Sequence, residues 1–329
     1  MTGVALALVS ALSFAVTNVL MRKVLRRVAL DQATFVVIVL STLALGFPFA
    51  VQVVSESFPE VPLFAWLWFC ASGILGLGLG SVTLFASIRH IGAARAGAIK
   101  NVAPVVSVSA AIWLLGERPT ILGAAGMTTV GIGLYVLVHE TFRETRRSEG
   151  PGNAPRDRQV RRGDRLAEQG VFAAGAAVPP PFMRPRTAGT LLGILSAVFL
   201  GGSQALRKAG IQHMGDALLG AFIASVSALV AYSGSLLARR RFGTVVRRAS
   251  TSFPRDLWLA GGTAGLGLVA FFAAVAMVPV SYVSVVASSE ALFTLTLSAG
   301  LSRYREVVTG GVWVAASLIM IGAVLMALA

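Results

Sequence analysis

Two ionisable residues, Lys100 and Glu290, lie deep inside stretches of the sequence that are otherwise apolar. A charge at the centre of a membrane helix costs about 2.5–3.5 kcal/mol on the insertion scale, so such residues are rare and mark functional sites. At a rise of about 1.5 Å per residue, each lies roughly 13–15 Å from the nearer end of its stretch, close to the middle of a bilayer core. There an ammonium could hold an anionic group, and a carboxylate could hold a cation or exchange a proton.

The composition places both charges in a membrane protein. Of the 329 residues, 56% are hydrophobic and 13% are charged, and the mean hydropathy is +0.78. A soluble protein of this size could not hide so much apolar surface from water. Ten stretches are long and apolar enough to cross a bilayer as helices, which predicts an all-α membrane protein. They cover residues 3–21, 33–54, 63–87, 91–115, 120–139, 188–206, 214–238, 257–278, 280–302 and 307–328.

The two halves of the chain repeat each other. At an offset of 189 positions, Gly73, Gly76, Ala98, Glu117 and Gly133 recur as Gly262, Gly265, Ala287, Glu306 and Gly322. Each copy contains five predicted helices, and because five is odd the second copy must start from the opposite side of the membrane. The sequence therefore predicts ten transmembrane helices in two inverted five-helix repeats, residues 1–139 and 188–329.

The repeat also brings the two charges into equivalent places. The offset carries Asn101 onto Glu290, so Lys100 and Glu290 occupy almost matching positions on the fourth and ninth helices. Two interpretations remain open. The charges form a buried ion pair that fixes how the halves pack, or one or both line a central cavity and contact a solute or a proton. The helical neighbours of Lys100 are all small, which favours a position facing protein. They are Ala93, Ala96, Gly97, Ala103, Pro104 and Ser107.

Three amides and a proline complete the candidate solute- or proton-binding site. Asn101 follows Lys100, while Asn18 on the first helix and Gln204 on the sixth lie in segments that match between the repeats. Interhelical hydrogen bonds would explain Asn18 and Gln204 without a ligand, and cavity lining is the alternative. Pro104 removes a backbone hydrogen bond inside the fourth helix and is expected to kink it.

Basic residues concentrate on one side of this layout. Of the 28 Lys and Arg residues, 24 lie in loops that follow odd-numbered helices. Positive loops stay in the cytoplasm, so both termini are expected outside the cell (inner) membrane. Anionic inner-leaflet lipids are the expected neighbours of these loops. The one-sided distribution accounts for the net charge of +14 without a nucleic-acid partner.

Residues 140–187, between the repeats, have a different composition. They contain ten arginines, six acidic residues and six prolines. Such a segment cannot bury enough apolar surface to offset its ordering entropy, so a mostly disordered cytoplasmic linker is expected. It could be a simple tether, or it could have a regulatory or lipid-binding role.

The sequence shows no arrangement of residues typical of an enzyme active site or a metal site. It has one cysteine and three histidines and forms no Cys/His cluster, so no metal site and no cofactor are expected. No serine, histidine and acid arrangement suggests a hydrolase, and the protein is not expected to be an enzyme.

The pattern resembles the EamA-type branch of the drug/metabolite transporter superfamily. The resemblance covers nearly the whole chain outside the linker and rests on the two fivefold repeats and on a signature in the fourth and fifth helices. That signature reads Ala94, Pro104, Leu114-Leu115-Gly116-Glu117, Gly126 and Gly133. The second repeat departs from it, with Phe293 at the position of Pro104 and Tyr304-Arg305-Glu306 at the position of Leu115-Gly116-Glu117.

The resemblance implies a secondary transporter with a central cavity and alternating access. Its expected cargo is a small metabolite, an amino acid or a drug, and export is the expected direction. The alternatives are a flippase for lipid-linked intermediates and a membrane scaffold or sensor that does not transport.

Overall fold

The structure is a computed structural model, and every regular element in its described residues is a helix. The described residues are 2–55, 62–115, 120–148, 185–251, 254–277, 286–287, 289–300 and 309–327. The helices are α1 (Thr2–Val24), α2 (Leu30–Ser55), α3 (Leu63–Gly73), α4 (Ser81–Ile91), α5 (Ala93–Lys100), α6 (Ala103–Leu115), α7 (Ile121–Ser148), α8 (Pro185–Met214), α9 (Ala217–Ala238), α10 (Phe242–Thr251), α11 (Arg255–Met277), α12 (Glu290–Gly300) and α13 (Gly310–Ala327). A π-helical segment, Ile74–Gly80, joins α3 to α4.

Six helical spans in this part of the chain are long and apolar enough to cross a membrane. They are Thr2–Val24, Leu30–Val54, Leu63–Ile91, Thr187–Met214, Ala217–Ala238 and Arg255–Ala274. Two shorter apolar helices, Ile121–Val136 and Gly310–Gly322, accompany them. The predicted fourth span is divided between α5 and α6, and the predicted ninth span is described only in part. A total of ten membrane helices therefore stays a prediction.

The sixth predicted helix is longer than the sequence pattern indicated. Its expected bounds were 188–206, whereas α8 extends over Pro185–Met214. The helix ends where Gly215 adopts a positive φ of 78° and donates its backbone N–H to the carbonyl of Ile211 at 2.7 Å. A left-handed glycine of this kind is a common helix terminator. Arg207 and Lys208, which follow the expected end of this helix at residue 206, thus lie within it.

The expected linker is also shorter at both ends. Helix α7 continues to Ser148, and α8 begins at Pro185. Residues 140–148 and 185–187 are therefore helical extensions of the neighbouring elements. The rest of the predicted linker, 149–184, lies outside the described residues, and so do Glu117 and Glu306.

Glycine allows the π-helical segment and its flanks to approach the second half of the chain closely. A Cβ atom on Gly73 would overlap the backbone of Ala224 in α9, and one on Gly76 would overlap the side chain of Ser203 in α8. Ser203 donates its hydroxyl to the carbonyl of Ser72 at 2.9 Å. Small residues and polar bonds of this type hold helices together where lipid gives no hydrophobic drive.

Helices from the two halves of the chain pack against each other. Helix α1 packs on α11 and α12, and in the sequence repeat these contacts correspond to α8 on α3 and α8 on α6, because Glu290–Gly300 aligns with residues 101–111. Polar contacts follow the α1–α11 pair in reversed order along the two helices, which makes them antiparallel. They join Ser10 to the carbonyl of Gly267, Thr17 to Thr263 and Lys23 to Asp256.

Candidate functional site

The fourth predicted span is broken beside Lys100. Helix α5 ends at Lys100, and α6 begins at Ala103 with Pro104 as its second residue. Proline has no N–H to donate to the carbonyl four residues earlier, which is that of Lys100, and its ring clashes there. The chain turns instead through Asn101 and Val102, and the N–H of Val102 bonds the carbonyl of Ile99 at 3.0 Å. Lys100 is therefore the last residue of a helix, where the negative end of the helix dipole stabilises a cation.

Glu290 occupies the opposite kind of helix end. It is the first residue of α12, and Ser289 before it lies in a turn. The N-terminal end of a helix carries partial positive charge and favours a carboxylate. Both charges are thus placed at the helix ends that lower the free energy of burying them.

The ammonium of Lys100 contacts both carboxylate oxygens of Glu290. Its Nζ lies 2.5 Å from Oε1 and 2.7 Å from Oε2. The two side chains are 18% and 8% exposed, respectively. A pair this enclosed is screened little by salt, and removal of one partner would leave a charge in a poor solvent.

Helix α1 adds two residues to this pair. The side-chain amide of Asn18 donates to Glu290 Oε1 at 2.8 Å, and Asn18 is only 3% exposed. The Lys100 Nζ lies 5.4 Å from the centre of the Phe14 ring, within the range of a cation–π attraction. We call Lys100, Glu290, Asn18 and Phe14 the central cluster. It joins α1 and α5 in the first half of the chain to α12 in the second half.

Beside the central cluster, the close contact of α5 with α12 and α1 depends on Gly97. A Cβ atom on Gly97 would lie 3.4 Å from Cγ2 of Thr294 and 3.8 Å from Nδ2 of Asn18. Thr294 follows Glu290 by one helical turn and is fully buried. Its hydroxyl has no hydrogen-bond partner among the described residues. A buried hydroxyl without a partner carries a desolvation cost, so the polar interior here has unused hydrogen-bonding capacity.

The structure brings only some of the predicted site residues together. Lys100, Glu290 and Asn18 are in direct contact, and Asn101 is buried beside them in the break, with 7% of its surface exposed. Gln204 lies on α8 and is exposed, with no hydrogen bond to the central cluster in the described part of the chain. Pro104 lies where the helix resumes and accounts for the interruption.

Two residues near the site were missed by the sequence interpretation. Phe14 is an ordinary apolar residue in an apolar helix, so nothing in the sequence indicated its contact with Lys100. Arg207 was assigned to a loop because the predicted sixth helix ended at residue 206. Its guanidinium lies 5.1 Å from the centre of the Phe272 ring in α11, and the helix continues to Met214.

The helices and the central cluster define the class of protein when they are combined with a family comparison. Residues 1–139 match the model of the EamA-like transporter family. With the spans of membrane length, this match identifies a multi-pass membrane transporter of small solutes. The match covers 139 of the 329 residues. It supports the resemblance to EamA-type transporters of the drug/metabolite transporter superfamily that the sequence predicted. The family consists of transporters rather than enzymes.

Other comparisons add little. No match was found among curated proteins. A solved structure described as "Crystal structure of protein" aligns with 98% of this chain and 95% of its own, at 16% identity and a TM-score of 0.49. A likeness this distant carries no argument about the present chain.

Proposed function

We propose that the chain is a secondary transporter that exports a small metabolite, an amino acid or a drug across the cell's inner membrane by alternating access. The observation that supports this most is the central cluster, in which Lys100 and Glu290 join helices of both repeats in the middle of the bundle. Lys100, Glu290, Asn101, Asn18 and Gln204 are the proposed contacts for the solute or for a coupled proton, and Pro104 maintains the break that positions Lys100.

A buried ion pair suits transport because its partners can be exchanged. A solute carboxylate can replace Glu290 on Lys100, or a solute ammonium can replace Lys100 on Glu290. A proton on Glu290 would likewise release Lys100. In each case a buried charge gains a new partner of opposite sign or is neutralised. The barrier to rearranging α5 against α12 therefore stays low. Interrupted helices with charged ends near the membrane middle recur in transporters of inverted-repeat design.

The helix pairs support two inverted repeats, residues 1–139 and 188–329. Exchange of the repeats converts the α1–α11 contact into the α3–α8 contact and the α1–α12 contact into the α6–α8 contact. An inverted layout with the basic loops inside places both termini outside and the linker, 140–187, in the cytoplasm.

Anionic inner-leaflet lipids are the proposed partners of the cytoplasmic face. Helix α10 buries Val245 and Ala249 against the bundle, while Arg247 and Arg248 are exposed. An amphipathic helix with this division can lie in the membrane interface with its arginines among lipid phosphates.

Flux measurements test the proposed function. Purified protein is first screened for solutes that raise its melting temperature, because a ligand that binds only the folded state stabilises it. Those solutes are then loaded into proteoliposomes. We expect concentration-driven flux above that of empty liposomes and exchange of unlabelled against labelled solute. Saturable binding without any flux would instead favour a sensor.

Tags at the two termini test the proposed orientation. In intact cells, both tags should be accessible to an impermeant reagent, and a tag inserted in the linker should be accessible only after lysis. Protection of both termini would contradict the layout, whatever the flux result.

A further inference from the structure

Arg207 is a cation in the outer half of the proposed layout, about two turns before α8 ends at Met214. Its guanidinium carbon lies 5.1 Å from the centre of the Phe272 ring. Phe272 is 3% exposed and belongs to an apolar cluster between α2, α9 and α11. The Nε atom of Arg207 is buried and has no hydrogen-bond partner within the described ranges. Arg207 therefore points into the protein rather than toward lipid.

The helical periodicity of α8 indicates that its protein-facing side is exposed near the outer end of the helix. Leu195 is exposed and apolar, as expected on the lipid side. Gln204 lies nine residues, about two and a half turns, further on and therefore on the opposite side. Gly193 lies about three turns before Gln204 on that same side, and there a Cβ atom would be 3.0 Å from Ser87 and 3.2 Å from Ile99. The inward side of α8 is packed at Gly193 and exposed at Gln204.

The two cations Lys100 and Arg207 differ in their acidic partners. Lys100 has a carboxylate partner in Glu290, whereas Arg207 has no ion pair with any acidic residue that the structure describes. Burial of a guanidinium away from water is unfavourable unless an anion accompanies it. The cation–π contact with Phe272 supplies no hydrogen-bond acceptor for the N–H groups, and Nε has no partner among the described residues. A guanidinium can bind two oxygens of a carboxylate or phosphate through its N–H groups.

We propose that Arg207 forms an outer subsite for an oxyanion, a carboxylate or phosphate group carried by the transported solute. The subsite lies beside Gln204, between the outer opening and the central cluster. An anionic group would contact Arg207 on one side of the transport step and Lys100 on the other. The proposal rests on the proposed function only for the identification of that anion as cargo.

A cysteine introduced at position 204 can report the electrostatic potential that Arg207 creates. The protein's free cysteine, Cys70, is first changed by Cys70→Ser, which preserves a group that can accept from the Ser227 hydroxyl. Gln204→Cys then supplies a reporter one turn from Arg207. Its modification by an anionic and by a cationic methanethiosulfonate, added from the outer side of right-side-out vesicles, gives a ratio of rates.

We expect Arg207→Gln to lower the anionic-to-cationic rate ratio about fivefold, because the reporter loses a unit charge one turn away. Arg207→Lys should leave most of the ratio intact. Lys208→Gln is the matched control, since Lys208 is an exposed cation on the neighbouring position and its charge is better screened by solvent. An Arg207→Gln ratio no different from that of the parent would overturn the proposal, and so would the absence of outer labelling.

Inorganic phosphate tests binding of the anion itself. It should slow modification by the anionic reagent saturably in the parent and in Lys208→Gln, and not in Arg207→Gln. Repeating the measurement in phosphatidylcholine and in phosphatidylglycerol vesicles separates a free anion from a lipid headgroup. Protection by phosphate in both vesicles supports a solute subsite, and protection by phosphatidylglycerol alone contradicts it. This experiment measures cysteine labelling and not flux. Its result can therefore be interpreted even if the protein is found not to transport a solute.

Discussion

Lys100→Ala and Glu290→Gln should each lower solute flux in proteoliposomes by about 100-fold or more, while membrane abundance stays near normal. Truncation of one partner in a buried, hydrogen-bonded charge pair costs about 2–5 kcal/mol, and a solute that uses the same contact loses a comparable amount. In Lys100→Ala, Glu290 keeps its hydrogen bond from Asn18. In Glu290→Gln, the amide oxygen can still accept from Asn18 and Lys100, so the fold should tolerate each single change. The measurement is initial flux per reconstituted molecule, with abundance and melting temperature determined in parallel.

A second ion pair in the same protein supplies the control. Lys23 contacts Asp256 at 2.9 Å near the C-terminal end of α1, with the two side chains 51% and 26% exposed. Exposed pairs contribute about 0–1 kcal/mol, so Lys23→Ala should leave flux nearly unchanged. The double variant Lys100→Ala/Glu290→Ala separates packing from transport. If it regains both stability and flux, the central pair is only structural and the proposed role is wrong.

Gly73→Ala should destabilise the protein by about 1–3 kcal/mol, whereas Gly262→Ala should stabilise it by up to about 1 kcal/mol. The two glycines are repeat counterparts, and the sequence treats them alike. A Cβ atom on Gly73 would overlap the backbone of Ala224, which cannot move without displacing α9, but one on Gly262 would meet nothing within 4 Å. The melting temperatures of both variants in one detergent, compared with that of the unchanged protein, show whether each substitution stabilises or destabilises the protein.

The pair of variants contains its own control, because each makes the same chemical change at matching positions of the two repeats. Equal effects would mean that α3 and α11 are packed alike. A reversed order would contradict the close α3–α9 contact.

The sequence predicted most of the chemistry of the central cluster. Lys100 and Glu290 stood out because charges are costly in apolar helices, and the repeat offset placed them at matching positions. Asn18 was a candidate because its segment matches the segment of the second half that contains Gln204. The kink at Pro104 followed from backbone chemistry. These inferences depend on local composition and periodicity, which a single sequence displays.

Other features depend on three-dimensional contacts. Nothing in the run of glycines indicated that Ile74–Gly80 would form a π-helix, and the same glycine pattern in the second repeat lies within the regular helix α11. The C-terminal part of α8 was missed because the apolar stretch ends at residue 206, although the helix continues to the turn at Gly215. The contact of Phe14 with Lys100 is tertiary and has no sequence signal.

The ends of α5 and α12 give the central pair a polarity. Lys100 closes one helix and Glu290 opens another, so each charge is attracted by the carbonyl or amide groups of its own helix end as well as by its partner. Interchanging lysine and glutamate would restore the mutual attraction but would set both charges against repelling peptide groups. The two halves of this transporter, similar in sequence, are therefore electrically unlike at their meeting point, and their roles there cannot be exchanged.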